Sequence, residues 1–188
     1  MGHLLMNIES KGIFDSLKQR LTVFLTLLLL LVVLAPAAKG RAWSYTNDAM
    51  DFVIDFPSTE WRAVSESGIA HPRTYFVYDD QASVKLNIRR QLVDAGVTPA
   101  DLIEYQRRWD RVSLRGYVKT QTEAFGGRLS GGQYGYEYIS DGKPVAKLNY
   151  FLQANTRIIY RLEFTGSQEE LSALSKQIEF IARSFRLR

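Results

Sequence analysis

Three consecutive runs in the C-terminal half, QYGYEYIS, PVAKLNYFLQ and RIIYRLEFTG, alternate apolar and polar residues and are separated by short turns at Asp141-Gly142 and at Asn155-Thr156. Alternation at period two places successive side chains on opposite faces of a strand, and polar turns this short join antiparallel neighbours. One face collects Leu148, Tyr150, Leu152, Ile158, Tyr160, Leu162 and Phe164, while the other carries Lys147, Asn149, Arg161 and Glu163. A chain that commits this much length to hairpins is restricted to an antiparallel sheet.

The rest of the chain extends that pattern. Phe52, Ile54 and Phe56 alternate with Val53 and Asp55, Pro57-Ser58 breaks the run, and Trp61 falls in a short second strand. TYFVYDD and ASVKLNIRRQL read as a hairpin turning at Asp79-Asp80-Gln81, with Val84, Leu86 and Ile88 opposite Lys85, Asn87 and Arg89. Two segments switch to helical spacing. Thr98 stands as N-cap before Pro99, with Asp101 in the first turn and an apolar stripe expected at Leu102, Tyr105, Trp109 and Val112. Ser167 and Glu170 form a capping box ahead of one closing helix, whose stripe is Leu171, Leu174, Ile178 and Ile181. The expected class is α+β, a central antiparallel sheet covered by helices.

Two domains are expected, a leader over 1–42 and a folded domain over 43–188. Leu21–Ala38 is uncharged and nearly all aliphatic, and it follows Lys11, Lys18 and Arg20. That layout fits a secretory signal, cleaved after Ala37, Gly40 or Ala42, or an uncleaved membrane anchor helix. Both readings place everything after Trp43 outside the cytoplasm, in a periplasm or at a cell surface. The absence of cysteine removes lipidation, disulfides, thiolate metal sites and cysteine nucleophiles together. The charge of +4 belongs mostly to the leader, which holds five of the 24 Lys and Arg but only Glu9 and Asp15 among the acids. The folded part is close to neutral and gives no electrostatic reason to expect nucleic acid.

Leu129–Gln133 spells LSGGQ, the signature string of ATP-binding-cassette ATPases. No phosphate-binding GxxxxGK[ST] loop accompanies it, and it runs into Tyr134, Tyr136 and Tyr138 at strand spacing rather than into a helix. It is expected to be a glycine-bearing turn feeding a strand over Gln133–Ile139, with no nucleotide bound. The three tyrosines fit either a core beneath a helix or the lining of a groove. Arg107, Arg108, Arg111 and Arg115 cluster near the end of the first helix, with Glu104 placed to pair with Arg108. The cluster reads as a solvated face or as a docking patch for an acidic partner or anionic headgroup. His71 with Asp79 and Asp80 is the candidate metal set, although adjacent aspartates are also ordinary turn residues. No nucleophile–base pair suggests a hydrolase, and no cofactor is expected.

WSYTNDAMDFVIDFPSTEWR and YFLQANTRIIYRLEFTGSQEELSALSKQIEFIARSFRL together resemble the PsbP-like proteins. The first matches their opening of an aromatic strand, Phe-x-Ile-x-Phe-Pro and Trp. The second matches their Tyr-x-Leu-x-Phe strand, capped helix and terminal Ser-Phe-Arg. The resemblance spans essentially Trp43–Arg188. It implies an α/β/α sandwich and a non-enzymatic binding or assembly role for a protein partner at or near a membrane. It carries no functional residue across, because no site motif is shared at matching positions.

Overall fold

The computed structural model describes residues 41–66 and 73–188. The apolar run Leu21–Ala38 lies outside the described residues. The elements run β1 (Trp43–Asn47), β2 (Phe52–Phe56), β3 (Trp61–Glu66), β4 (Arg73–Tyr78), β5 (Val84–Leu92), α1 (Pro99–Ser113), β6 (Val118–Gly126) and β7 (Ser130–Ser140). They continue with β8 (Lys143–Asn155), β9 (Ile158–Gly166), α2 (Gln168–Ala173), α3 (Ser175–Ser184) and β10 (Arg186–Leu187). The architecture is mostly antiparallel sheet with few helices. Where the sequence suggested one central sheet, the strands divide between two: a seven-stranded sheet in the order β3-β4-β5-β9-β8-β7-β6, and a small one in the order β1-β2-β10.

The small sheet exists because β2 is apolar on one face only. Phe52, Ile54 and Phe56 are fully buried against the large sheet and α3. Phe185 seats on Phe52 and Tyr160, with ring centroids 5.1 and 4.9 Å apart, and so brings β10 alongside β2. Arg186 then meets Asp55 at 2.8 Å. The terminal Ser-Phe-Arg is therefore a structural clasp. This main core takes Leu86, Ile88, Tyr160, Leu162 and Phe164 from the large sheet and Ile178 and Ile181 from α3. The expected C-terminal stripe is buried as the spacing required, but the closing helix is two helices, interrupted at Leu174 (φ −94°, ψ 6°).

The turns obey their residue chemistry. Asp141 and Gly142 both take positive φ, the I′ geometry that matches strand twist in a two-residue hairpin. Thr98 and Asp101 close a reciprocal capping box at the start of α1, and Ser167 and Glu170 do the same for α2.

Two expectations fail here. The LSGGQ segment is not a turn: residues 127–129 make the turn, and β7 begins at Ser130. Gly131 and Gly132 are glycines for space rather than for positive φ. A Cβ on Gly131 would overlap the Phe151 carbonyl oxygen on β8, and one on Gly132 would lie 2.6 Å from Ile103 Cδ1 on α1. The glycine pair lets a neighbouring strand and a helix approach β7 closely.

The second failure is the stripe of α1. Tyr105, Trp109 and Val112 are 71%, 61% and 79% exposed, Leu102 is half-buried, and Ile103 and Asp110 are the buried residues. The sheet face beneath α1 carries Arg161 and the Tyr134 hydroxyl, so the helix turns its polar Gln106 and Asp110 toward them to complete hydrogen bonds. A buried polar group left unpaired costs about 1–3 kcal/mol, which competes with burial of a Tyr or Val.

Candidate binding cleft

The face of the large sheet opposite the main core carries a polar network roofed at one end by α1. Arg161 on β9 is its centre. Its Nε donates to Asn149 Oδ1 at 2.9 Å, Nη1 donates to Gln106 Oε1 at 3.2 Å, and Nη2 donates to Glu163. Its guanidinium also lies 5.4 Å from the centroid of Phe151. Lys147 donates to the other Glu163 oxygen at 3.1 Å. Arg161, Glu163 and Asn149 are all buried. Burial pushes the Glu163 carboxyl up, but Arg161 and Lys147, with Arg89 behind them, outweigh it and hold it below the ordinary carboxylate value.

Asp110 of α1 completes the network. It accepts from Gln106 Nε2 at 2.8 Å and from the Tyr134 hydroxyl at 3.2 Å, and Tyr134 lies 3.0 Å from the Tyr117 hydroxyl. Tyr134 and Tyr136 are core residues under α1, stacked at 5.0 Å, while Tyr138 sits half-buried at the edge. Burial raises the Asp110 carboxyl above its ordinary value despite its hydrogen bonds and the cations opposite. A folded-state pKa above the unfolded one gives stability that is complete below the unfolded value and declines as pH rises through the folded one. Asp110→Asn keeps an acceptor for one neighbour and removes that decline. The variant is expected to gain on the wild type between about pH 4 and neutrality, measured by chemical denaturation at both ends.

Where α1 stops covering the sheet, a cleft of about 440 Å3 opens. Arg89, Lys147, Arg161 and Glu163 form its floor, and Tyr105, Trp109 and Tyr138 stand around it. The outer side of α1 adds a second feature. Tyr105, Arg108, Trp109 and Val112 recur at three- and four-residue spacing along one exposed stripe, with Arg111 and Arg115 nearby. Of the four arginines singled out in the sequence, Arg107 and Arg108 both reach Glu104, at 2.7 and 2.8 Å. Arg111 and Arg115 are exposed.

The proposed metal residues are placed differently. Asp79 accepts from Gln81 N at 2.9 Å and from Ser83 Oγ at 2.7 Å, which holds its carboxyl below the usual range, and it sits at φ 57° in the β4–β5 turn. Asp80 faces Arg62 at 3.1 Å. His71 lies outside the described residues. No group of three or more metal-ligating side chains occurs among the described residues.

No known family profile matches the sequence, and no curated protein matches it in sequence. Solved structures do match in fold. Cyanobacterial PsbP (CyanoP) from Synechocystis sp. PCC 6803 aligns over 82% of this chain and 96% of its own, at 11% identity and a TM-score of 0.59. The Ran-binding protein Mog1p of Saccharomyces cerevisiae aligns over 79% and 96%, at 6% identity and a TM-score of 0.56. PA94, a Pseudomonas aeruginosa protein of unknown function, aligns over 79% and 99%, at 12% identity and a TM-score of 0.52. The domain has the PsbP-like fold. At these identities the likeness is one of fold alone.

Proposed function

We propose that residues 43–188 form a non-enzymatic binding domain held outside the cytoplasm by the leader, as a cleaved export signal or a tether. It docks a protein partner through the outer stripe of α1 and supports the assembly or stability of a membrane-associated complex. The layered α/β/α arrangement, with Leu21–Ala38 as an apolar helix, belongs to the same reading.

The observation that carries it is the orientation of α1. Tyr105 and Trp109 stand in solvent on a helix that could have buried them, between Arg108, Arg111 and Arg115. Trp, Tyr and Arg are the residues that dominate interface energetics. The exposed cations select a partner with acidic side chains around an apolar centre. Inside the cleft, the Asp110 and Glu163 carboxylates are held as structural acceptors by Gln106, Tyr134, Arg161 and Lys147, an arrangement that suits binding better than proton transfer.

Trp109→Ser is expected to cost little folding stability, because the indole is largely solvated. It is expected to weaken partner binding by about 2 kcal/mol or more if Trp109 is the anchor. Combined reversal of Arg108 and Arg111 to Glu is expected to abolish co-purification with the membrane complex. Unchanged recovery of the complex with both variants would remove the docking assignment.

A further inference from the structure

Arginines stand opposite one another across three adjacent strands. The β4–β5 register pairs Arg73 with Arg89, and the β5–β9 register pairs Arg89 with Arg161. Directly paired residues share a sheet face and sit on strands about 4.8 Å apart, so like charges there repel. Arg161 is compensated by Glu163, which Lys147 shares. Arg89 feels Glu163 only at longer range: its Nε is buried with no hydrogen-bond partner among the described residues, and the same holds for Asn87 Oδ1 one pleat along β5. Burial first, then the neighbouring Arg161 and Arg73, lower the Arg89 pKa against the pull of Glu163. Among the described residues, Arg73, Arg89, Arg161 and Lys147, with Lys85 on the same face, thus outnumber the two carboxyls Glu163 and Asp110.

From this row the geometry points to a binding site for a dianionic phosphate monoester on the β4-β5-β9 face beside α1, its phosphate on Arg89 and Arg161 and its apolar body against Tyr138 and Trp109. The surplus of positive charge suits a dianion, and guanidinium groups present paired donors suited to phosphate oxygens. Trp109 and Tyr138 give the cleft aromatic surface for a planar or alkyl ester, and its volume of about 440 Å3 admits a small molecule or a lipid headgroup. Its cations are separate from those of the docking stripe, because Arg73, Arg89 and Arg161 lie on strands, while Trp109 borders both.

The test uses the full chain in phosphatidylcholine nanodiscs, with thermal unfolding as readout. Phenyl phosphate is expected to raise Tm by about 3–5 °C at tenfold excess over its Kd, with inorganic phosphate weaker and phenol inert. A rise with phenyl phosphate identifies a soluble ester as the source. A rise seen only when phosphatidic acid is built into the disc identifies a lipid headgroup, and no rise in either arm overturns the site. Arg89→Gln separates binding from folding. It relieves the like-charge row, so its unliganded Tm is expected to equal or exceed the wild type, while affinity falls about tenfold or more. Lys176→Gln, exposed on α3, is expected to change neither. An Arg89→Gln variant that binds like the wild type, or that is less stable without ligand, would overturn the assignment.

Discussion

Gly131→Ala is expected to cost about 3 kcal/mol or more, enough to leave the domain unfolded or trapped in aggregates when expressed at 37 °C. The methyl group would occupy the space of the Phe151 carbonyl oxygen, which is backbone and cannot swing away. β7 lies between β6 and β8, so relief requires displacing a strand hydrogen-bonded on both sides. Gly126→Ala, where an added Cβ meets nothing within 4 Å, is the matched control and is expected to stay within about 0.5 kcal/mol of the wild type. Urea denaturation of both variants decides the point. A Gly131→Ala protein as stable as the control would contradict the close approach of the Phe151 carbonyl to Gly131.

Arg161→Met is the second large effect. It deletes three donors at once and leaves the buried Glu163 hydrogen-bonded to Lys147 alone, with Asn149 Oδ1 and Gln106 Oε1 deprived of Arg161. Removing one member of a buried ion pair costs about 3–5 kcal/mol, whereas replacing both with apolar residues is often near neutral. Arg161→Met with Glu163→Leu is therefore expected to recover most of the loss. The pH profile carries an independent signature. The depressed Glu163 pKa gives the wild type stability that is present above the ordinary carboxylate value and disappears as pH falls through the folded one. In Arg161→Met that acid-side dependence shrinks or reverses, because burial then dominates. A single variant within about 1 kcal/mol of the wild type would show that the network is dispensable.

The strands, their turns and the capping boxes were legible because each rests on local rules. Alternation over 144–153 and 157–166, positive-φ residues at Asp141-Gly142, and Thr98 with Asp101 need no knowledge of distant neighbours. The resemblance of the first and last segments to PsbP-like proteins also led to the right fold. The cleft was half visible. Lys147, Asn149, Arg161 and Glu163, and separately Asn87 and Arg89, were assigned to the polar sides of their strands. What joins them is the β5–β9 pairing, which spans 66 residues or more of sequence at its shortest and leaves no local trace. Read together, polar residues facing the same way on three central strands would have signalled a covered polar face, since central strands seldom present one to solvent.

The orientation of α1 was misread for a related reason. Tyr105, Trp109 and Val112 make a better apolar stripe than Ile103, Gln106 and Asp110. Helical spacing alone cannot know that the surface underneath is itself polar. The small sheet was missed because β10 is two residues long and pairs with a strand far back in the sequence. LSGGQ was given the wrong backbone, because its glycines serve close approach, and close approach is a property of the neighbours.

The docking role of α1 is tested most directly by photo-crosslinking in the intact cell. A photoreactive amino acid is placed at Val112, in the exposed stripe, and in a parallel strain at Lys176, exposed on α3. The account predicts one discrete adduct from position 112, lost when Arg108 and Arg111 are reversed to Glu, and no matching adduct from position 176. Equal adducts from both positions, or an adduct at 112 that survives the charge reversal, would contradict it.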